Sequence, residues 1–177
     1  MAHEDDLKYM RMALEYAAAY SDDPRTQNGA MLVPLLPGLP LVRGHQWPLV
    51  LGANRFPEGL QASIRVTPER LDPATKLIYM EHAERNTIYK AAEYCVPTRG
   101  ATLYCPWFAC VDCARAIICS KIVRVVGLRK PRLLTPERWR ATIEQADALL
   151  EEAHVRVDLL EDEIGVEILF NGEKVVM

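Results

Sequence analysis

No stretch of this 177-residue chain gathers like charges into a block, and with 21 basic against 24 acidic side chains the formal net charge is -3. That absence argues against a basic arm for nucleic acid or a polybasic membrane anchor, and favours small solutes over polyanions as partners. Long apolar runs are missing too, since none approaches the roughly 18 residues of a membrane span. The opening residues, Met1-Ala2-His3-Glu4-Asp5-Asp6, are too acidic for a secretory signal, so a cytoplasmic protein is expected. Internal repeats and low-complexity tracts are also lacking, which sets aside solenoid and fibrous architectures. The cysteines, Cys95, Cys105, Cys110, Cys113 and Cys119, are odd in number, which argues against a disulfide framework and for metal binding plus buried thiols. What is present is 50% hydrophobic content, enough to bury a core as one domain over 1–177.

Leu7, Met10, Leu14 and Ala17 repeat at helical spacing behind acidic residues at 4–6, predicting a first helix to about Tyr20. Ser21-Asp22-Asp23-Pro24 breaks it, and strands are expected at Gly29–Val33 and Pro48–Ala53, joined by a connection marked by Pro34, Pro37, Pro40 and Gly38. Prolines 57, 68 and 73 leave the segment to Ile78 as a loop able to line or cover a site. A second helix is predicted over Glu81–Tyr94, a buried strand at Ala101–Tyr104, a helix over Cys110–Cys119 and a β-branched strand at Ile122–Leu128. Thr135 reads as the N-cap and Pro136 as the first residue of a helix running to about His154, followed by a strand at Val155–Leu160. Asn171-Gly172 between Val166–Phe170 and Lys174–Met177 reads as the tight turn of a hairpin over about 161–177. Strands alternating with helices after an opening hairpin predict an α/β layered domain with a mixed sheet. Right-handed crossovers then bring the starts of the second and third helices to one face.

Those two starts carry His82, Glu84, Cys110 and Cys113, an H-x-E followed by C-x-x-C. One imidazole and two thiolates give zinc three ligands and leave a fourth position for water or substrate. Such an ion lowers the pKa of water from 15.7 toward roughly 7, and Glu84, beside the metal, would move the protons, the arrangement of a zinc-dependent deaminase. The backbone N–H of Ala83 is a candidate to hold a carbonyl oxygen of the base. A structural knuckle is the rival, for which Cys105 or Cys119 would supply a fourth ligand. Cys95 and Cys119 otherwise read as small buried hydrophobes, with Cys105 at the rim of the site. His3, His45 and His154 have no ligand partner at useful spacing, while Trp107 and Phe108 read either as a stacking surface for a base or as packing.

Beyond the zinc signature, Ser21-Asp22-Asp23-Pro24-Arg25-Thr26-Gln27-Asn28-Gly29-Ala30 resembles the S-x-D-P-x-[ST]-Q-x-G-A lead into strand one of the deoxycytidylate (dCMP) deaminases, within the cytidine deaminase-like superfamily. Gly52 to Gly59 resembles that family's G-Y-N-G-x-P-x-G, His82 to Ile88 its H-A-E-x-N-A-I, and Leu103 to Ile118 its L-Y-x5-C-x2-C-A-x2-I-I run. The resemblance implies a three-layer α/β fold with a five-stranded mixed sheet flanked by helices, one catalytic zinc per chain, and a homo-oligomer, hexamer or dimer. It implies conversion of dCMP to dUMP, with Asn54 on sugar and base and Arg25, Thr26 and Gln27 near the 5′-phosphate. His82 and Asn86 separate the chain from free-nucleoside cytidine deaminases and tRNA adenosine deaminases, respectively. A 5-modified dCMP, cytidine, cytosine or tRNA adenosine stays open as substrate, as does a non-catalytic nucleotide-binding zinc module. Three departures stand out. Ala109 replaces the proline before the first thiolate, and Ala53 and Arg55 replace a tyrosine and a glycine, which puts control by an allosteric dCTP in doubt. No tyrosine follows strand four, where Arg129, Lys130 and Arg132 form either a phosphate contact or a solvated loop.

Overall fold

The computed structural model describes residues 3–35, 49–60, 68–73 and 75–177. Most of the proline-rich connection before strand two, together with His45 and the start predicted at Pro48, lies outside them.

Helix α1 (His3–Tyr20) buries Met10, Ala13, Leu14 and Ala17, the stripe its periodicity predicted. Strands β1 (Gly29–Val33) and β2 (Val50–Ala53) form the opening antiparallel pair. A 3-10 turn (Pro68–Leu71) and a short helix α2 (Lys76–Tyr79) interrupt the expected loop. Next come α3 (Ala83–Glu93), β3 (Thr102–Tyr104), α4 (Val111–Cys119) and β4 (Arg124–Leu128). Helices α5 (Arg129–Leu133) and α6 (Glu137–Glu152) lead to β5 (Arg156–Leu160), and β6 (Glu167–Phe170) and β7 (Glu173–Val176) make the terminal hairpin.

The sheet order is β2-β1-β3-β4-β5, with β1 antiparallel to both neighbours and β3, β4 and β5 mutually parallel. This is the mixed five-stranded sheet expected, because each parallel step is bridged by a helix. Strand alternation sorts the core into two layers. Ala30, Leu32, Leu103 and Val125 face α3, α4 and α6, whereas Met31, Tyr104 and Val126 face α1 and the hairpin. At Gly52 a Cβ would fall on the Thr87 hydroxyl and within 2.6 Å of that residue's amide nitrogen, so only glycine lets α3 lie this close to β2.

One polar cluster crosses the α1 layer. Arg124 Nη1 and Nη2 donate to the two oxygens of Asp6 at 2.8 Å each, its Nε donates to Asp158 at 2.6 Å, and the Tyr104 hydroxyl donates to Asp6 at 2.7 Å. Arg124 holds the Asp6 carboxyl below its ordinary value against the opposing effect of burial. Removing one member of a buried pair leaves an uncompensated charge, and Arg124 retains Asp158, so Asp6→Ala is expected to cost about 3 kcal/mol in denaturant unfolding. A loss under about 1 kcal/mol would mean that the cluster is neutral to folding. Because the folded-state pKa is lowered, the contribution of Asp6 is complete above its unfolded value near ~4. It is lost as pH falls through the folded value.

The structure corrects three expectations. Pro136, in extended backbone, is the N-cap of α6, while the Thr135 hydroxyl donates to the Pro131 carbonyl and accepts from Trp107 Nε1. The basic run forms α5, with Arg132 forked onto Asp147 at 2.8 Å and Arg129 paired with Glu161 at 3.0 Å; it is neither a solvated loop nor, with those pairings, a free phosphate contact. Cys95 and Cys119 are exposed, since each falls at a helix end, where the apolar stripe runs out.

Candidate functional site

His82 and Cys110 are the N-cap residues of α3 and α4, both with extended backbone, and Glu84 and Cys113 follow within the first turn of each helix. An N-cap side chain leaves the helix axis and points past its start, so two neighbouring starts can aim ligands at one point. His82 Nδ1 lies 3.5 Å from Cys110 Sγ and 3.6 Å from Cys113 Sγ, and the three ligand atoms all lie within 4.8 Å of one another. Tetrahedral zinc, with bonds of about 2.3 Å to sulfur and 2.05 Å to nitrogen, sets N···S separations near ~3.6 Å. The donor set therefore fits zinc in geometry as well as in type.

The surroundings act in opposite directions on the acidic groups here. A hydrogen bond from Cys113, aided by His82 and opposed by burial, pulls the Cys110 thiol down to about 3, while Cys113 as donor is pushed up. Burial pushes the Glu84 carboxyl up, and the side chain is only 2% exposed. Arg85 spans the two helices, donating through Nε to Glu81 at 2.6 Å and lying 3.6 Å from Asp112. Cys105 stands apart from the ligand group among the described residues. Its buried sulfur accepts from Asn28 Nδ2 at 3.3 Å and faces the Trp107 carbonyl at 3.4 Å, outside the group of ligand atoms, so it offers no fourth ligand.

A pocket opens onto His82, Glu84 and Cys110. Trp107, Phe108, Trp139, Ile143 and Met80 supply apolar wall, and Pro73, Lys76 and Leu77 come from the segment that the prolines had marked as able to line a site. The His82 ring meets Trp139 edge-on with centroids 5.8 Å apart, and Trp139 meets Trp107 at 5.9 Å. Trp107 in turn meets Phe170 of the hairpin at 5.1 Å. This run of rings steadies the imidazole from the hairpin inward. The cap and proline signals that predicted this helix gave no sign that Trp139 turns toward the His82 imidazole.

Asn54 is buried on the pocket wall; its Oδ1 accepts the Ala83 N–H at 3.0 Å and its Nδ2 donates to the Thr26 carbonyl at 3.0 Å. The Ala83 amide, expected to face a base oxygen, is bonded to Asn54 in this structure. Arg25 and Thr26 line the pocket, but Gln27 does not. Its side chain reaches Ala18 and Leu169 instead, because Gln27 pairs with the hairpin like an extra strand residue: Gln27 N donates to Leu169 O and Leu169 N to Gln27 Oε1, both at 2.8 Å. Asp23 fixes the same turn, accepting the amides of Arg25 and Thr26 at 2.9 and 3.1 Å and both contacts of Lys76 Nζ at 2.6 and 2.7 Å. The proline-bounded loop placed Lys76 near a site but gave no hint of this partner.

Residues 3–128 match the family model for the cytidine and deoxycytidylate deaminase zinc-binding region. Among solved structures, the dCMP deaminase of cyanophage S-TIM5 in complex with dCMP and dUMP is similar at 21% identity and a TM-score of 0.63, over 90% of this chain and 99% of that one. Its apo form is similar at 20% identity and a TM-score of 0.61, over 90% and 100%. A diaminohydroxyphosphoribosylaminopyrimidine deaminase/5-amino-6-(5-phosphoribosylamino)uracil reductase from Thermotoga maritima shares 20% identity and a TM-score of 0.54, over 89% of this chain and 36% of that one. At these identities the likeness is one of fold. No curated protein sequence matches the chain. Among the described residues no helix is long and apolar enough to cross a membrane.

Proposed function

From the premise that this chain belongs to the cytidine and deoxycytidylate deaminase family, we propose that it hydrolyses dCMP to dUMP and ammonia. The whole chain, 1–177, would act as one catalytic domain, working in the cytoplasm as a homo-oligomer. The observation that carries this reading is the imidazole and two thiols at zinc-binding separations, opening on a pocket whose inner wall includes a buried carboxyl. His82, Cys110 and Cys113 would hold the ion, which when bound supplies the Lewis acidity that makes water nucleophilic near neutral pH.

The chain's own groups do the rest. Glu84 takes a proton from the attacking water, delivers it to the ring nitrogen beside the reacting carbon, and passes one to the departing amine, so that water and dCMP become dUMP and ammonia. Its burial supports that role, because burial weakens carboxylate hydration and raises basicity. Asn54 has one amide N–H beyond its bond to Thr26, which suits it to orient sugar or base. Trp107, Trp139 and Phe108 exclude water from the ring face.

Arg25 is held by the hairpin, its Nη2 donating to Asn171 O at 3.3 Å and its carbonyl accepting from Gly172 N at 2.7 Å. A guanidinium so placed suits a phosphate monoester better than a neutral nucleoside. The test is ammonia release from dCMP, CMP, deoxycytidine, 5-methyl-dCMP and cytosine, with and without dCTP. Turnover should be fastest with dCMP and indifferent to dCTP, and Arg25→Ala should lower kcat/KM for dCMP about 10-fold while sparing deoxycytidine. Equal or faster use of deoxycytidine by the unaltered protein would overturn the nucleotide assignment. Light scattering on the zinc-loaded protein reads the assembly, for which a monomer would be the contrary result.

A further inference from the structure

Arg25 and Arg138 both line the pocket, and among the described residues neither has a carboxylate within ion-pair distance. Five arginines elsewhere, Arg55, Arg85, Arg124, Arg129 and Arg132, are by contrast each matched to an acid. The acid beside Arg138, Glu137, pairs with Arg140 at 3.1 Å. The third cation of the pocket, Lys76, is neutralised by Asp23. Arg138 also sits in the first turn of α6, where a cation opposes the positive end of its own helix, a local conflict of the kind that sequences keep where a side chain has a task.

The basic residues after β4 have their charges engaged elsewhere: Arg129 on Glu161, Arg132 on Asp147 and Lys130 on the Val176 carbonyl. Arg138 lies beyond the residues matched to the family model and is an unpaired guanidinium that α6 brings to the pocket. We propose that Arg138 is a phosphate-recognition residue, completing with Arg25 a subsite for the 5′-phosphate of a nucleoside monophosphate. The inference rests on the deaminase reading for its substrate, but the subsite can be tested without turnover. Two arginines from separate elements can fork onto three phosphate oxygens, and each charge-assisted pair adds discrimination against the neutral nucleoside.

Calorimetric titration of the zinc-loaded protein with dUMP and with deoxyuridine reads the subsite directly, and ammonia release from dCMP and deoxycytidine reads it in catalysis. Arg138→Ala is expected to weaken dUMP 10- to 100-fold and lower kcat/KM for dCMP by a similar factor, leaving deoxyuridine and deoxycytidine unchanged; Arg138→Lys should recover only part. Arg140→Ala, which removes the neighbouring exposed guanidinium, should change neither. Equal losses on nucleotide and nucleoside would make Arg138 a wall residue and overturn the proposal, as would unaltered dUMP binding. If the unaltered protein releases no ammonia from any cytosine compound, the deaminase reading fails. Tighter binding of dUMP than deoxyuridine, lost in Arg138→Ala, would still uphold the subsite, and no preference would sink it.

Discussion

Glu84→Gln is expected to lower ammonia release by roughly 10²- to 10⁴-fold while zinc content and thermal unfolding stay near those of the unaltered protein. The amide keeps the size and hydrogen-bonding reach of the carboxyl but cannot take a proton from water. Glu84 is 2% exposed and sits one residue past the N1 position of α3, so its backbone is fixed by the helix and not by its charge. Burial disfavours the carboxylate, so the neutral glutamine should fit without penalty. Turnover retained within a factor of ten would remove Glu84 from proton transfer and leave the pocket as a binding site for nucleotides. Zinc lost together with activity would instead place the side chain among the ligands.

The second large effect concerns the metal itself. Cys110→Ala is expected to abolish stoichiometric zinc, measured by atomic absorption after dialysis. Loss of an outer-shell partner alone costs about 10- to 100-fold in affinity, and removal of one of three protein ligands should exceed that. Cys105→Ala is the contrasting case. Its sulfur lies in the Asn28 hydrogen bond, away from the ligand group, so zinc should remain at one ion per chain. Full zinc in Cys110→Ala, or zinc lost from Cys105→Ala, would contradict the three-ligand centre.

The parts of the fold legible in the sequence are those where a local pattern and the tertiary requirement coincide. The stripe of Met10, Leu14 and Ala17 had to face something apolar, and the Asn171-Gly172 turn had to adopt positive φ at both residues, as it does. His82 and Cys110 fall at helix starts, as the boundaries of the helical segments in the sequence indicate. The clustering of His82, Cys110 and Cys113 was therefore readable in the sequence. Partners chosen across space were not. Thr135 resembles a cap in sequence, yet its hydroxyl is claimed by Trp107 and Pro131, and Pro136 takes the terminal position. Ala83 looks like a free donor until Asn54 is folded against it, and Gln27 looks like a phosphate ligand until the hairpin arrives. Trp139 and Arg138 lie well past the H-x-E and C-x-x-C segments in the chain, and the packing of α6 over α4 brings them to the pocket.

The three side chains that could hold a metal ion lie between residues 82 and 113, whereas the turn at 25–27 is stitched to residues 169–172. Closing a loop of that length is entropically the more demanding step, and synthesis delivers its far end last. A ribosome-bound chain can thus gather its metal ligands long before the opposite wall exists. On that order of synthesis, ion capture would precede substrate competence, which would wait for the final strands to emerge.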